Sequence, residues 1–331
     1  FTYDDKPVIA GDLKVEGAVS ALLKYALMPN LVQTTEGVPA IVHGGPFANI
    51  AQGTNSIIGT ELALCLADYV VTEAGFGFDL GAEKYFDIVA PYGNFNPRIV
   101  VLVATVRALK YHAGIAREEL NHPNAHAAVL GMANLRKHYE NIDKFNVPCI
   151  VALNRFPSDT DEEIQAVVKA AENEGMNIAP ADIFKRGGEG GLELAEKTVR
   201  LIAGAEGTFT PLYDWKLPVE DKIFKVASEI YGAVSIDYQP QARRNLDMIK
   251  KIGYDKLPVC IAKTQQSLSD NPNLLGLPSN FIVTVREIKI ASGAGFLIPI
   301  TGEILRMPGL SKTPAAYNIN IDETGNIQGI V

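Results

Sequence analysis

Pro148-Cys149-Ile150-Val151-Ala152-Leu153 is an unbroken apolar run that stops at Asn154-Arg155-Phe156-Pro157-Ser158-Asp159-Thr160. A short run of this kind reads as a strand buried on both faces, the type found in parallel sheets covered by helices. Ligands of open α/β sheets collect at the carboxyl ends of such strands. The residues after Leu153 are therefore placed where a site is expected. Downstream, Phe184-Lys185-Arg186-Gly187-Gly188-Glu189-Gly190-Gly191 is a basic, glycine-rich loop opening a helix. One segment offers an exposed aromatic; the other offers a second aromatic beside backbone N–H groups able to face an anion. Together they point to a flat ring joined to a negative charge.

The rest of the chain alternates in the same way. Helical spacing runs from Gly17 to Met28, and a short strand is expected at Pro39 to Val42. The loop His43 to Ser56 follows, then a helix from about Ile57 to Leu66. Tyr69 to Thr72 reads as a second strand opening into Glu73-Ala74-Gly75-Phe76-Gly77-Phe78-Asp79-Leu80-Gly81-Ala82-Glu83, where glycines let a backbone approach a ligand closely. Ile99 to Ala104 reads as a third strand. A helix near Ala127 to Lys144 precedes the Pro148 run. The alternation predicts an α/β fold with a parallel sheet and right-handed crossovers. Later segments predict helices at Val219 to Ile230 and Ala242 to Ile252. Strands are expected at Pro258 to Ala262, Asn280 to Ile290 and Phe296 to Thr301, with a hairpin turn around Glu323-Thr324-Gly325-Asn326.

Composition narrows the function classes. A length of 331 residues suits two α/β domains, and 47% hydrophobic with 21% charged residues describes an ordinary globular chain. The formal charge of -8 argues against a nucleic-acid surface. No apolar run approaches the roughly 18 residues of a membrane span. Cys65, Cys149 and Cys260 each lie in apolar runs and read as buried structural thiols in a reducing compartment. The histidines do not pair with cysteines at zinc spacing, so no metal site of that kind is expected. Phe1-Thr2-Tyr3-Asp4-Asp5 resembles neither an initiator nor a signal peptide, and the chain reads as a piece of something longer.

Arg107 and Lys110, just past a strand, suit either a phosphate or a solvated helix face. There is no G-x-x-x-x-G-K-[ST] and no dinucleotide Gly-x-Gly-x-x-Gly. Gly75-Phe76-Gly77 is the nearest approach.

Longer strings give the chain a family resemblance. His43-Gly44-Gly45-Pro46-Phe47-Ala48-Asn49-Ile50-Ala51, Val71 to Gly77, Leu102 to Lys110, Asn154 to Thr160, Gly187 to Gly191, Ala262-Lys263-Thr264-Gln265 and Ser292 to Gly302 together resemble formate–tetrahydrofolate ligase. The resemblance runs from Phe1 to Val331. It implies an ATP-dependent ligase in which formate becomes formyl phosphate and N10 of tetrahydrofolate attacks it. ATP would enter with magnesium, and a monovalent cation is a possible further requirement. By the same resemblance Phe156 and Phe184 sandwich the pterin with Pro157 lining the slot. Phe76 and Gly77 belong to the formyl-phosphate loop, and Lys263, Thr264 and Gln265 lie near the nucleotide. A cytoplasmic homo-oligomer without nucleic-acid or membrane partners is implied.

The expected architecture is a P-loop-NTPase-like parallel sheet portion followed by a second α/β domain with a strand-rich C-terminus. Residues 1–21 would end a truncated upstream domain. Residues 22–145 would form part of the nucleotide and formyl-phosphate domain, and residues 146–331 the folate-side domain. The family's lysine-bearing phosphate loop and its formyl-phosphate arginine lie upstream of anything present here. The isolated chain is therefore expected to be inactive, with a non-catalytic folate-binding or assembly module as the alternative. Phe184, often Trp in relatives, keeps a stacking face; Gln52 stands where His is common. Phe78, commonly Ala, is expected to add bulk to the glycine-rich loop.

Overall fold

The structure is a computed structural model that describes residues 2–4, 6–45, 50–205, 207–302, 315–321 and 327–328. It is a mixed α/β arrangement. Strands β1 (Asn30–Gln33) and β2 (Pro39–Val42) pair as an antiparallel hairpin. Strands β3 (Val100–Ala104), β4 (Cys149–Asn154) and β5 (Ile178–Ala181) form a parallel sheet in that order. A second sheet joins β6 (Ser235–Tyr238), β7 (Ile282–Ala291) and β8 (Phe296–Thr301), with β6 parallel and β8 antiparallel to β7. Strands β9 (Asn320–Ile321) and β10 (Ile327–Gln328) close the chain as an antiparallel pair. The hairpin turn expected between them lies outside the described residues, as do Pro46 to Asn49 of the loop after β2.

Central position explains the apolar run at β4. Neighbours on both sides and helices on its faces leave Cys149 to Leu153 buried throughout. Strand β5 escaped the sequence reading because Pro180 interrupts it. Proline is tolerated there because β5 is an edge strand. The helix Asp161–Asn173 starts on a reciprocal cap: Thr160 Oγ1 accepts from the Glu163 N–H at 3.2 Å, and the Thr160 N–H donates to Glu163 Oε2 at 2.9 Å. The single helix expected near Ala127 to Lys144 is two, Ala125–Leu130 and Met132–Asp143. Gly131 sits at the break against the preceding helix, where a Cβ would lie only 1.9 Å from the Leu109 carbonyl oxygen.

Among the described residues two large apolar clusters and a small third one, Ile88, Cys260 and Phe296, form the core. Of the large ones, one packs Val106, Leu109, Met132, Leu135, Ile164 and Val167 around Val151 and Leu153. The other joins Phe78, Phe86, Ile142 and Phe145 to Ile223, Ile230, Val259, Val283 and Leu297. Phe78 therefore does not crowd the glycine-rich loop; its ring lies in the core, 5.8 Å from Phe86 and 5.7 Å from Phe145.

Several local expectations are corrected. Tyr69 to Thr72 is not a strand; no described segment pairs with it, and Val71 is 92% exposed. Strand β2 belongs to the hairpin, not to the parallel sheet. Pro258 to Ala262 makes only isolated parallel bridges, Val259 to Leu297 and Ala262 to Ile300. Cys149 and Cys260 are buried, whereas Cys65 is exposed on the helix Ile57–Leu66, beside the exposed Leu64 and Leu66. Among the described residues no helix is long and apolar enough to cross a membrane.

Candidate functional site

Parallel pairing brings two of the candidate loops to one edge of the sheet. Asn154, the last residue of β4, is the ladder partner of Ala181, the last of β5, and the Arg155 N–H donates to the Ala181 carbonyl at 2.9 Å. Phe156 and Phe184 therefore leave neighbouring strand ends, on the edge where α/β sheets bind ligands. Both rings reach solvent, Phe156 at 37% and Phe184 at 84% exposure, and Pro157 is exposed beside them. The Phe156 turn is closed by two hydrogen bonds. Its N–H donates to Asp159 Oδ2 at 2.8 Å, its carbonyl accepts from the Asp159 N–H at 3.0 Å, and the Asp159 side chain is buried. Asp159 was not singled out from sequence, since an Asp in a turn carries no signal beyond local capping.

The glycine-rich loop after Phe184 already holds a carboxylate. The Gly188 N–H donates to Glu36 Oε1 at 2.9 Å, and a Cβ on Gly187 or Gly188 would come within 2.5 Å of the Glu36 oxygens. Glu36 belongs to the β1–β2 turn, so this contact joins distant parts of the sequence. Lys185 and Arg186 are exposed alongside.

A second cluster forms around Phe76 and Gly77. Phe76 has φ +63°, a conformation bulky residues rarely adopt, and its ring is 52% exposed. Directly beyond Gly77, Asp79 forms a buried ion pair with Lys263, Oδ2 to Nζ 2.6 Å. The Lys263 ammonium also donates to the carbonyls of Thr264 (3.0 Å) and Ser267, and lies 5.0 Å from the Tyr231 ring centroid. Burial works to raise the Asp79 carboxyl, and Lys263, His138 and Lys84 outweigh it, holding the group below its ordinary value. Burial pulls the Lys263 ammonium down. Its three oxygen acceptors nevertheless match the three N–H bonds of the charged form. Thr264 is half-buried and Gln265 exposed, so of the three residues placed near the nucleotide, Lys263 faces inward and Gln265 outward.

Lys110 is neither a phosphate ligand in waiting nor part of a solvated face. It is fully buried, paired with Glu163 at 2.8 Å, and donates to the His122 carbonyl at 3.0 Å. Burial raises the Glu163 carboxyl, but hydrogen bonds from Lys110, Thr160 and Asn124 override it and bring the group down to about 2. Arg107 remains half-buried on a shallow surface cleft with Tyr111 and Arg117. Further along the chain, Glu83 and Asp87 are fully buried one helical turn apart. Burial raises both, Glu83 to about 7 although Lys84 and a hydrogen bond with Asp87 pull it down, and the Glu83 charge adds to the rise at Asp87. Among the described residues no group of three His, Cys, Asp or Glu side chains is placed to hold a metal ion.

Phe156, Pro157 and Phe184 thus follow two adjacent strand ends, and Gly77 and Lys263 meet at Asp79. The helix Met132–Asp143 links them, packing on β3, β4 and the Phe78–Ala82 turn. His138 on that helix and Asp79 were not read from the sequence, because neither belongs to a motif with a recognisable spacing.

Comparison with known proteins agrees with the strings quoted above. A family model described as formate–tetrahydrofolate ligase matches residues 1–331. A curated relative of that name from Syntrophus aciditrophicus (strain SB) is 81% identical over 330 residues. The alignment covers 100% of this chain and 58% of the relative, so the chain spans little more than half the relative's length.

Proposed function

The chain belongs to the formate–tetrahydrofolate ligase family, and from that premise we propose that it supplies the folate-side part of such an enzyme. The reaction is the ATP-dependent joining of formate to tetrahydrofolate. A formate oxygen attacks the γ-phosphorus of magnesium-bound ATP, releasing ADP and giving formyl phosphate. N10 of tetrahydrofolate then attacks the formyl carbon, phosphate leaves with the C–O electron pair, and N10 loses its proton. The products are 10-formyltetrahydrofolate, ADP and phosphate. The protein's part is positioning and charge stabilisation.

The observation that carries this reading is the pair of exposed phenylalanines at adjacent parallel strand ends. Phe156 and Phe184 stack on the two faces of the pterin, and Pro157 closes the slot. The Gly188 N–H, with Lys185 and Arg186 nearby, takes the glutamyl carboxylate of the folate, the role Glu36 plays in this structure. Phe76 and Gly77 present backbone to formyl phosphate. Gln265 and Thr264 face the nucleotide, with Lys263 supporting their segment from within. Residues 22–145 serve the formyl-phosphate side and residues 146–331 the folate side.

The phosphate loop for ATP comes from the part of the ligase that this sequence does not contain. Two observations support that division. No G-x-x-x-x-G-K-[ST] occurs in the chain. Large apolar side chains are uncovered in the first third of the chain, among them Leu22 (85%), Leu66 (64%), Val71 (92%) and Val103 on β3 (64%). The rest of the ligase, including the upstream end of the P-loop-NTPase-like sheet, packs over such side chains.

The test is formation of 10-formyltetrahydrofolate from formate, tetrahydrofolate and Mg-ATP, with and without the remaining portion supplied in trans. Product only in the combined sample is the expected result. Product from the chain alone overturns the division. Silence in both, with folate still bound, identifies a non-catalytic folate module instead.

A further inference from the structure

We propose that Asp79, Lys263 and His138 are positioning residues that lock the Phe76–Gly77 loop in its reactive shape, so that they govern the rate of formyl transfer and not the affinity for folate. This rests on the reading of that loop as the formyl-phosphate site.

The loop holds a costly conformation without help from its own ring. Phe76 is left-handed at φ +63°, and its side chain is too exposed to be pinned by packing. The constraint comes from below. The Gly81 N–H donates to the Gly75 carbonyl at 3.2 Å and the Leu80 N–H to the Gly77 carbonyl at 3.0 Å, folding the loop onto the start of the next turn. At Gly77 a Cβ would lie 2.4 Å from Asp79 Oδ1 and 3.1 Å from His138 Cε1, so the loop rests on these two side chains.

The support is itself anchored. Asp79 Oδ2 is held by Lys263, and Lys263 is held by the Thr264 and Ser267 carbonyls and the Tyr231 ring. His138 Nδ1 stands 3.9 Å from Asp79 Oδ1 with no hydrogen-bond partner among the described residues. Burial, opposed by Asp79, lowers its proton affinity, and the carboxylate's close partner is Lys263. Residues 79, 138 and 263 come from three separate segments and meet under one glycine. Stability alone does not call for this, because a buried ion pair is commonly no better than apolar side chains of the same volume. What the charges add is a fixed geometry for Asp79, and through it for Gly77.

The experiment uses the chain assembled with the rest of the ligase. Asp79→Asn and Lys263→Met are made singly and together. Each single change leaves the other charge unpaired in the core and destabilises; the double change removes both charges and costs less than the two single changes together. The expected result for the double variant is normal folate affinity and normal KM for tetrahydrofolate with kcat about 100-fold lower, the scale of an ångström-sized misplacement. Parental kcat in the folded double variant overturns the proposal. Gly77→Ala is the control for the underlying reading. If it keeps full kcat, the loop is not the formyl-phosphate site; if it is impaired while the double variant is normal, only the positioning role is wrong.

Should the pair variants not fold, His138→Gln leaves the ion pair intact and removes the ring under Gly77. Reduced kcat with faster amide exchange at Leu80 and Gly81 is expected, and unchanged values for both overturn the proposal.

Discussion

Asn154 and Ala181 face each other as the last ladder partners of β4 and β5, and everything proposed for the folate slot follows from that register. Two residues beyond one and three beyond the other stand Phe156 and Phe184, both open to solvent. A one-residue slip in a parallel ladder moves every side chain to the other face. Because β4 packs on both faces, such a slip would repack the core on each side, so the separation of the two rings is set by the core beneath them.

Replacing Phe156 or Phe184 by Ala is expected to weaken tetrahydrofolate binding about ten-fold each, or about 1.4 kcal/mol, from lost stacking and apolar contact. The double variant should show no measurable binding in a fluorescence titration. An unaltered dissociation constant in the double variant would remove the aromatic slot from the mechanism.

Glu163 ties acid stability to one ion pair. Its carboxyl lies at about 2 in the folded chain, against about 4.3 for an unfolded glutamate. A depressed folded value means that its contribution is complete above the unfolded value and is lost as pH falls toward the folded one. The chain should therefore lose about 3 kcal/mol between about pH 4.5 and about pH 2 from this group. Glu163→Gln should flatten that limb of a urea-midpoint against pH curve, and at pH 7 cost about 3 to 5 kcal/mol by stranding Lys110. A variant with the parental acid limb would show that the pair carries no linkage.

Glu83 predicts the opposite slope. Burial, opposed by Lys84, raises its carboxyl to about 7, so the folded chain keeps a proton that the unfolded chain releases. Stability from this group is complete at low pH and declines as pH rises from about 4.3 through about 7. Glu83→Gln removes the titration and should stabilise by about 1 to 3 kcal/mol at pH 8 while changing little at pH 5. Thermal melts at the two pH values decide it, and equal shifts at both would refute the assignment.

Glu36 competes for the cradle assigned to the folate glutamate. With Glu36→Ala the Gly188 N–H is free, and affinity for tetrahydrofolate is expected to rise by roughly five-fold, the worth of about one hydrogen bond of 1 kcal/mol. Pteroate, which lacks the glutamate, should gain nothing. Equal gains for both ligands would place the effect outside the cradle.

The sequence alone carried the local grammar. An unbroken apolar run announced β4, and the long strings announced the family. Composition and run length could not decide which segments pair. Tyr69 to Thr72 has strand chemistry and no described partner, whereas Ile178 to Ala181 has a proline and a place on the sheet edge. Lys110 read as suited to a phosphate or a solvated face and is held by the buried Glu163, and the pairing of Lys263 with Asp79 was not legible at all. His138 and Asp79 carry no motif, yet they meet beneath Gly77. The reason is physical: periodicity, capping and turn chemistry act between residues a few positions apart, and a chain records them directly. Charge pairing in a core depends on which distant segments the packing brings together, and only the tertiary structure decides that.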